Sequence, residues 1–343
     1  MKKLFVLFTG VILSASSCAV YSMSQEKAPY MTQSFSASSI KEVEATTSGG
    51  SISLTGDADS KATVEVYISH DDWSNEKIKQ FLDENYTLDI RVENGKLYAA
   101  AKTKTNFFRR NWQGLSISFK ISVPKQVNSN LQTSGGSIQI SALSGLQTFQ
   151  TSGGSLSVDN VSGKTSGSTS GGSISVANSK DNIDLKTSGG SITAKDCNGT
   201  INLVTSGGSL SLNNLTGTVN ATTSGGSIVA NNINGTLVTG TSGGSVRLNG
   251  ISGNVDATTS GGNMDVRIKS ASDYVKLSNN GSINLVLPDG KNYNLNMKAS
   301  RIDVPVIKNF QGSMDNKSIN GTIGNGGTEI NVRSSQQVRL SFE

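Results

Sequence analysis

Hydrophobic and polar positions along this chain alternate in short runs, and the runs repeat. Thr-Ser-Gly-Gly-Ser begins at Thr133, Thr151, Thr169, Thr187, Thr205, Thr223 and Thr241. Thr259 begins an eighth copy that ends in Asn263, and the spacing is 18 residues every time. Within residues 205–222, Leu210 and Leu212 alternate with Ser209, Ser211 and Asn213, which is the two-residue period of a strand. Asn213-Asn214 and Gly217 bracket Leu215, and Val219 and Ala221 open a second alternation. Each unit therefore predicts two short strands and two turns. A fixed period of this length marks a solenoid, whose units bury their apolar faces only by stacking. Parallel stacking at about 4.8 Å gives about 38 Å for eight coils.

Stacking predicts inward ladders. One runs Ile138, Leu156, Ile174, Ile192, Leu210, Ile228, Val246, Met264; a second runs from Ile140 to Val266; a third runs Ile183, Ile201, Val219, Leu237, Val255. Gly-Gly is expected to supply positive φ at the first turn. Asn160, Asn178, Asn214 and Asn232, with Asp196 among them, mark the second turn as a left-handed amide ladder. Cys197 shares the inward turn register of Val161, Leu215, Ile233 and Ile251 and reads as a buried small hydrophobe. Coil 151–168 offers Thr165 and Gly167 where others have Ile or Leu, which predicts local looseness.

The flanks break the period. Residues 35–132 hold one copy, at Thr47, out of phase with the rest, and alternating runs around Val64, Ile90, Leu97 and Ile117. Ser74 opens an N-capped helix with Ile78, Phe81 and Leu82 on one face. This segment reads as a small α+β cap, since an open solenoid end exposes ladder donors. After Thr259 the period drifts, and residues 271–343 read as widened C-terminal coils.

Residues 1–17 read as an export signal: Lys2 and Lys3, an apolar run from Leu4 to Leu13, then small residues. Ala15-Ser16-Ser17-Cys18 resembles a bacterial lipobox, with Ala15 in place of a branched aliphatic residue. That resemblance implies lipidation of Cys18, an anchor to the membrane, and a tether over 18–34; the alternative is ordinary signal cleavage nearby, with Cys18 removed. Cys197 then has no intrachain partner, so a disulfide framework is excluded.

Composition sharpens the class. The 343 residues carry 38 Gly, one His and a net charge of +5. One His and two Cys build no zinc site, the repeats lack the Asp of a calcium-binding nonapeptide, and no Lys follows Gly-Gly at a phosphate-loop position. His70, beside Asp71 and Asp72, reads as a solvated loop histidine. No catalytic residue, cofactor or metal is expected, and the charge is too mild to argue for nucleic acid. The stretch Lys102 to Trp112 interleaves basic and aromatic groups. Phe107, Phe108, Arg109, Arg110 and Trp112 form a candidate surface-binding hairpin tip for anionic glycan or lipid headgroups; the alternative is that Phe107, Phe108 and Trp112 pack down on the cap and the basic groups are solvated.

The lipobox-like start, the helix-bearing opening, the Thr-Ser-Gly-Gly-Ser units and the closing run from Asn320 to Val332 resemble the bacterial "putative adhesin" β-strand-repeat family, a domain of unknown function. The resemblance implies a right-handed parallel β-helix in the all-β class, a location in the cell envelope as an outer-membrane-anchored lipoprotein, periplasmic or surface-exposed, and no catalytic residues. The expected function is non-enzymatic surface binding of envelope or extracellular glycan, or of another protein. A structural or regulatory envelope lipoprotein without adhesion is the alternative. A polysaccharide-acting β-helix enzyme is the third reading, but the outward positions of residues 133–258 are mostly Ser, Thr and Asn.

Overall fold

The computed structural model describes residues 28–104 and 114–343. It is a β-solenoid of about nine turns of about 18 residues. Each rung crosses two faces. In the rung after Ser144–Gln150, Thr151–Gly154 turns the chain into Leu156–Asp159, and Asn160, in the left-handed region at φ 53°, turns it back. Neighbouring rungs pair in parallel in unbroken 18-residue register: Leu156 with Ile174, Ile174 with Ile192, Ile192 with Leu210, Leu210 with Ile228. From Leu210 onward the two strands of a rung fuse through the Asn turn into continuous strands such as Leu210–Thr223 and Ile228–Thr241. The predicted ladders are the core, and every member of the first is essentially inaccessible.

The threonine that opens each repeat bolts one rung to the next. Thr169 Oγ1 donates to Gly154 O at 2.8 Å in the rung before and accepts from Gly172 N–H at 3.3 Å in its own turn. The same pair of bonds recurs at Thr151, Thr187, Thr205, Thr223 and Thr241. A buried hydroxyl is thus satisfied on both sides, which removes its desolvation cost.

The Gly-Gly pair works differently from the sequence expectation. Neither glycine of the regular pairs lies at positive φ; in the rungs the positive-φ glycines are Gly145, Gly163, Gly199, Gly217, Gly235, Gly250 and Gly253, in the opposite turn. The second glycine is required by contact. A Cβ on Gly190 would stand 2.1 Å from Gly172 O of the preceding rung, whereas one on Gly189 would stand 3.4 Å from its nearest neighbour.

Coil 151–168 is filled rather than loose. The ring of Phe149, one rung earlier, lies over Gly167, where a Cβ would meet it at 2.2 Å. Beside it runs a short polar column. Ser129 donates to Gln147 Oε1 at 2.5 Å, Gln147 Nε2 donates to Val127 O at 2.8 Å, and Thr165 follows with an unpartnered, buried Oγ1.

Both ends depart from chain order. The Thr47 copy is in register in space: Ile52 pairs with Ile138 and Glu42–Thr46 with Asn128–Gln132. An 86-residue step separates these partners, so 86 − 18 = 68 residues are inserted between stacked rungs. The insert builds an outer rung, Lys96–Thr103 with Ser116–Ser122, on the far side of residues 42–55. Lys61–Ser69 and Met31–Ser36 then close one face in antiparallel order, and Tyr86–Glu93 closes the other. The segment 35–132 therefore supplies both cap and rungs, and the sheet begins at Met31 within the stretch read as tether.

The second end repeats the device. After Ile283–Leu287 the chain overshoots to Tyr293–Lys298 and Arg301–Asp303, makes the hairpin Phe310–Met314 with Ser318–Ile323, and returns. Thr328–Ser334 and Gln337–Phe342 slot beneath the strands already laid down. Antiparallel closure limits the exposed parallel edges that a plain solenoid would leave.

Candidate binding surface

Cys18, expected to be lipidated, and Phe107, Phe108, Arg109, Arg110 and Trp112, expected to form a binding tip, lie outside the described residues. The described residues on either side of 105–113 bond to the cap. Lys104 N–H donates to Asn85 O at 2.8 Å, and Leu115 N–H donates to the Tyr86 hydroxyl at 3.3 Å.

The described cap concentrates the aromatic groups. Strand Lys61–Ser69 runs into a turn, and the helix Asn75–Asn85 follows. Ser74 caps that helix, accepting from Lys77 N–H at 3.4 Å. Glu76 in the first turn is held below the usual carboxylate range by its own backbone N–H and then by the Ser74 hydroxyl. Ile78 and Leu82 are buried on the sheet side.

His70 lies in the turn past strand Lys61–Ser69, as expected, and is half-buried rather than fully solvated. Its ring stacks on Trp73 at 4.0 Å and 12°, and its Nδ1 accepts from Asp72 N–H at 3.3 Å. Trp73 meets the edge of Phe81 at 4.8 Å and carries Lys77 Nζ 4.2 Å from its centroid. Phe81 continues to Tyr86 at 6.4 Å.

Beside this ridge lies a groove of about 460 Å³. Tyr30 and Tyr67 wall it, Ile68 and Ile78 contribute apolar surface, and Asn75, Glu76 and Lys79 present polar groups. Tyr30 is 43% exposed, while the Tyr67 hydroxyl donates to Glu65 Oε2 at 2.7 Å. Aromatic faces with a few convergent amide, carboxylate and ammonium groups suit a polyhydroxylated ligand with apolar ring faces. Sequence reasoning missed the groove. The Met31, Gln33, Phe35 alternation was its only signal, because Tyr30 and Tyr67 meet only across an antiparallel pairing.

Elsewhere several surface charges pair with one another. Lys96 reaches Glu42 at 2.9 Å and Glu44 at 2.6 Å, which raises its pKa, and Arg91 pairs with Asp89 and Glu93. Asp303, hydrogen-bonded first to Arg301, is lowered like Glu76, and carboxylates held ionised are poor general acids. Among the described residues no three His, Cys, Asp or Glu side chains group to hold a metal, and no helix is long and apolar enough to cross a membrane.

The opposite end holds a cleft of about 610 Å³ between Tyr293, Phe342, Ile307 and Ile323. The Tyr293 hydroxyl donates to Pro288 O at 2.8 Å, and burial, helped by Asp289, pushes its pKa up to about 12. A raised phenol ionises first in the unfolded chain. Its contribution to stability is therefore complete below pH 10 and is lost as pH rises toward 12. Urea midpoints of wild type and Tyr293→Phe measured across that window should converge at high pH; a constant difference would contradict the assignment.

The family described as Toastrack DUF4097 matches residues 57–337. No curated protein matches the chain. Several solved structures are similar, among them the following three. A "putative adhesin" from Bacteroides fragilis has 12% identity and a TM-score of 0.31 over 91% of this chain and 96% of its own. A "putative lipid binding protein" from Parabacteroides distasonis has 14% and 0.32 over 92% and 97%. A "putative cell adhesion protein" from Clostridium sporogenes has 7% and 0.22 over 91% and 98%.

Proposed function

The chain belongs to the Toastrack DUF4097 family, and from that premise we propose a non-enzymatic surface-binding protein of the cell envelope that holds a glycan at its capped end. Export and lipidation at Cys18 would tether it by the capped end, where Ala28, Pro29 and Tyr30 line the groove. The observation that carries this reading is the groove in which Tyr30 and Tyr67 face Asn75, Glu76 and Lys79. Sugar rings offer apolar faces to aromatic side chains and hydroxyls to amides and carboxylates, which is the mixture found there. The rungs themselves display Ser, Thr and Asn outward, and their few charges are scattered.

Retention on immobilised envelope polysaccharides tests the proposal. Tyr30 and Asn75 are exposed, so Tyr30→Ala with Asn75→Ala should leave thermal stability within a few degrees. Binding should weaken at least about tenfold, the loss of one good contact of about 1.4 kcal/mol. A wild type that binds no glycan, or a double variant that binds as well as wild type, overturns the reading in favour of a structural role. Labelled palmitate should appear on wild type and be lost in Cys18→Ser.

A further inference from the structure

The end of the stack away from the cap carries an unprotected strand edge. Phe310–Met314 pairs antiparallel with Ser318–Ile323, and among the described residues it has no second neighbour. The bonds that flank this hairpin fix which backbone groups face outward. Gly324 N–H donates to Asn309 O at 3.1 Å, and Asp315 N–H donates to Ser318 O at 2.9 Å. Antiparallel bonding alternates along a strand, so Asn309, Gln311, Ser313 and Asp315 bond inward. The N–H and C=O groups of Phe310, Gly312 and Met314 then point to the open edge. Strand edges are commonly blunted by charge, proline or a covering element, and Phe310–Met314 contains neither charge nor proline.

We propose that this edge pairs with the same edge of a second copy of the chain, antiparallel about a two-fold axis at Gly312. The outward set is symmetric about that residue, which is the requirement for an isologous contact. Gly312 then faces its counterpart, Phe310 faces Met314 of the other copy, and Gln311 faces Ser313 of the other copy. Two backbone hydrogen bonds form at each of three residue pairs, six in all. Gly312 suits the centre. Its φ is +148°, and a Cβ there would stand 2.3 Å from Asn320 O, so the crossing point is bare of side chains.

The charges agree with this register. No like charges stand opposite one another. Asp315 falls opposite Asn309 and next to Lys308 of the other copy, and the two-fold repeats that attraction. Met314, 43% exposed, gains Phe310 of the other copy as its cross-strand neighbour. Five residues per strand bury far less than the ~800 Å² per partner of a standard interface. Association is therefore weak in dilute solution and becomes populated where copies are concentrated.

Sedimentation equilibrium of the purified full chain, from tens of micromolar to about 1 mM, reads the contact. Wild type should show a reversible dimer. Gln311 and Ser313 are exposed, so Gln311→Lys with Ser313→Lys should keep the melting temperature while opposing like charges at both positions. Dimerisation should weaken at least about tenfold. Mixing that variant with Gln311→Glu, Ser313→Glu should restore a heterodimer. The proposal is overturned by a wild type that stays monomeric throughout, or by self-association that the lysine pair does not weaken. Self-association abolished only by charges placed on the Met31–Ser36 edge would overturn it equally.

Discussion

Gly190→Ala is expected to destabilise the solenoid by about 3 kcal/mol or more, while Gly189→Ala, one residue earlier, should lie within about 1 kcal/mol of wild type. The two glycines share a turn and look equivalent in the repeat. Their surroundings differ. The added methyl at 190 would sit 2.1 Å from Gly172 O and 2.4 Å from its carbonyl carbon, both backbone atoms of the rung before. Those atoms cannot swing aside, because Ile192 is locked in register with Ile174 above and Leu210 below. Relief requires the rungs to part, which also stretches the bonds Thr187 makes to Gly172 O and Gly190 N–H, 2.8 and 3.3 Å. At 189 the methyl finds ordinary contacts of 3.4 Å and more. Alanine there also reduces the freedom of the unfolded chain. Urea unfolding of the two variants side by side is the measurement, and similar midpoints would refute the contact argument.

That pair shows where sequence reading stops. The repeat makes rung length, inward ladders and the Asn turn legible, since each needs only periodicity and the conformational habits of Asn and Gly. Periodicity says that a glycine stands at each position, not whether φ or a neighbouring backbone demands it. The Phe149 and Gly167 compensation was readable in principle, because the two lie 18 residues apart in one ladder. Taken one coil at a time, the sequence hides it. The ends were less accessible. Counting by 18 cannot place Ile52 beside Ile138, since the insert between them erases the phase. Nor can it reveal that Thr328–Phe342 returns beneath Tyr293–Asp303. The groove at Tyr30 depends on such a non-local antiparallel pairing, so the candidate site was the least legible part.

Cys197→Asp should cost roughly 3–5 kcal/mol, the penalty of an uncompensated buried charge. The thiol sits in the inward turn column after Val161 and Ser179 and before Leu215 and Ile233, and only 2% of the residue is accessible. Burial, the largest cause, pushes its pKa up. The sulfur lies 3.2 Å from Lys195 O, the contact that Ser179 Oγ makes with Ala177 O at 2.7 Å one rung earlier. A carboxylate there would face that carbonyl oxygen at close range. The Lys195 ammonium is no counter-ion, since it is exposed and pairs with Asp196 at 3.6 Å. Cys197→Ser is the control. It reproduces the Ser179 geometry, so its loss should be about 1 kcal/mol. The pH dependence separates charge from shape. A buried carboxyl has a raised folded pKa, so the deficit of the Asp variant should shrink as pH falls below that value and both states become neutral. Native wild-type protein should react slowly with a thiol reagent and quickly once unfolded. An Asp variant as stable as the Ser variant at pH 7, or rapid labelling of the native thiol, would place Cys197 outside the core.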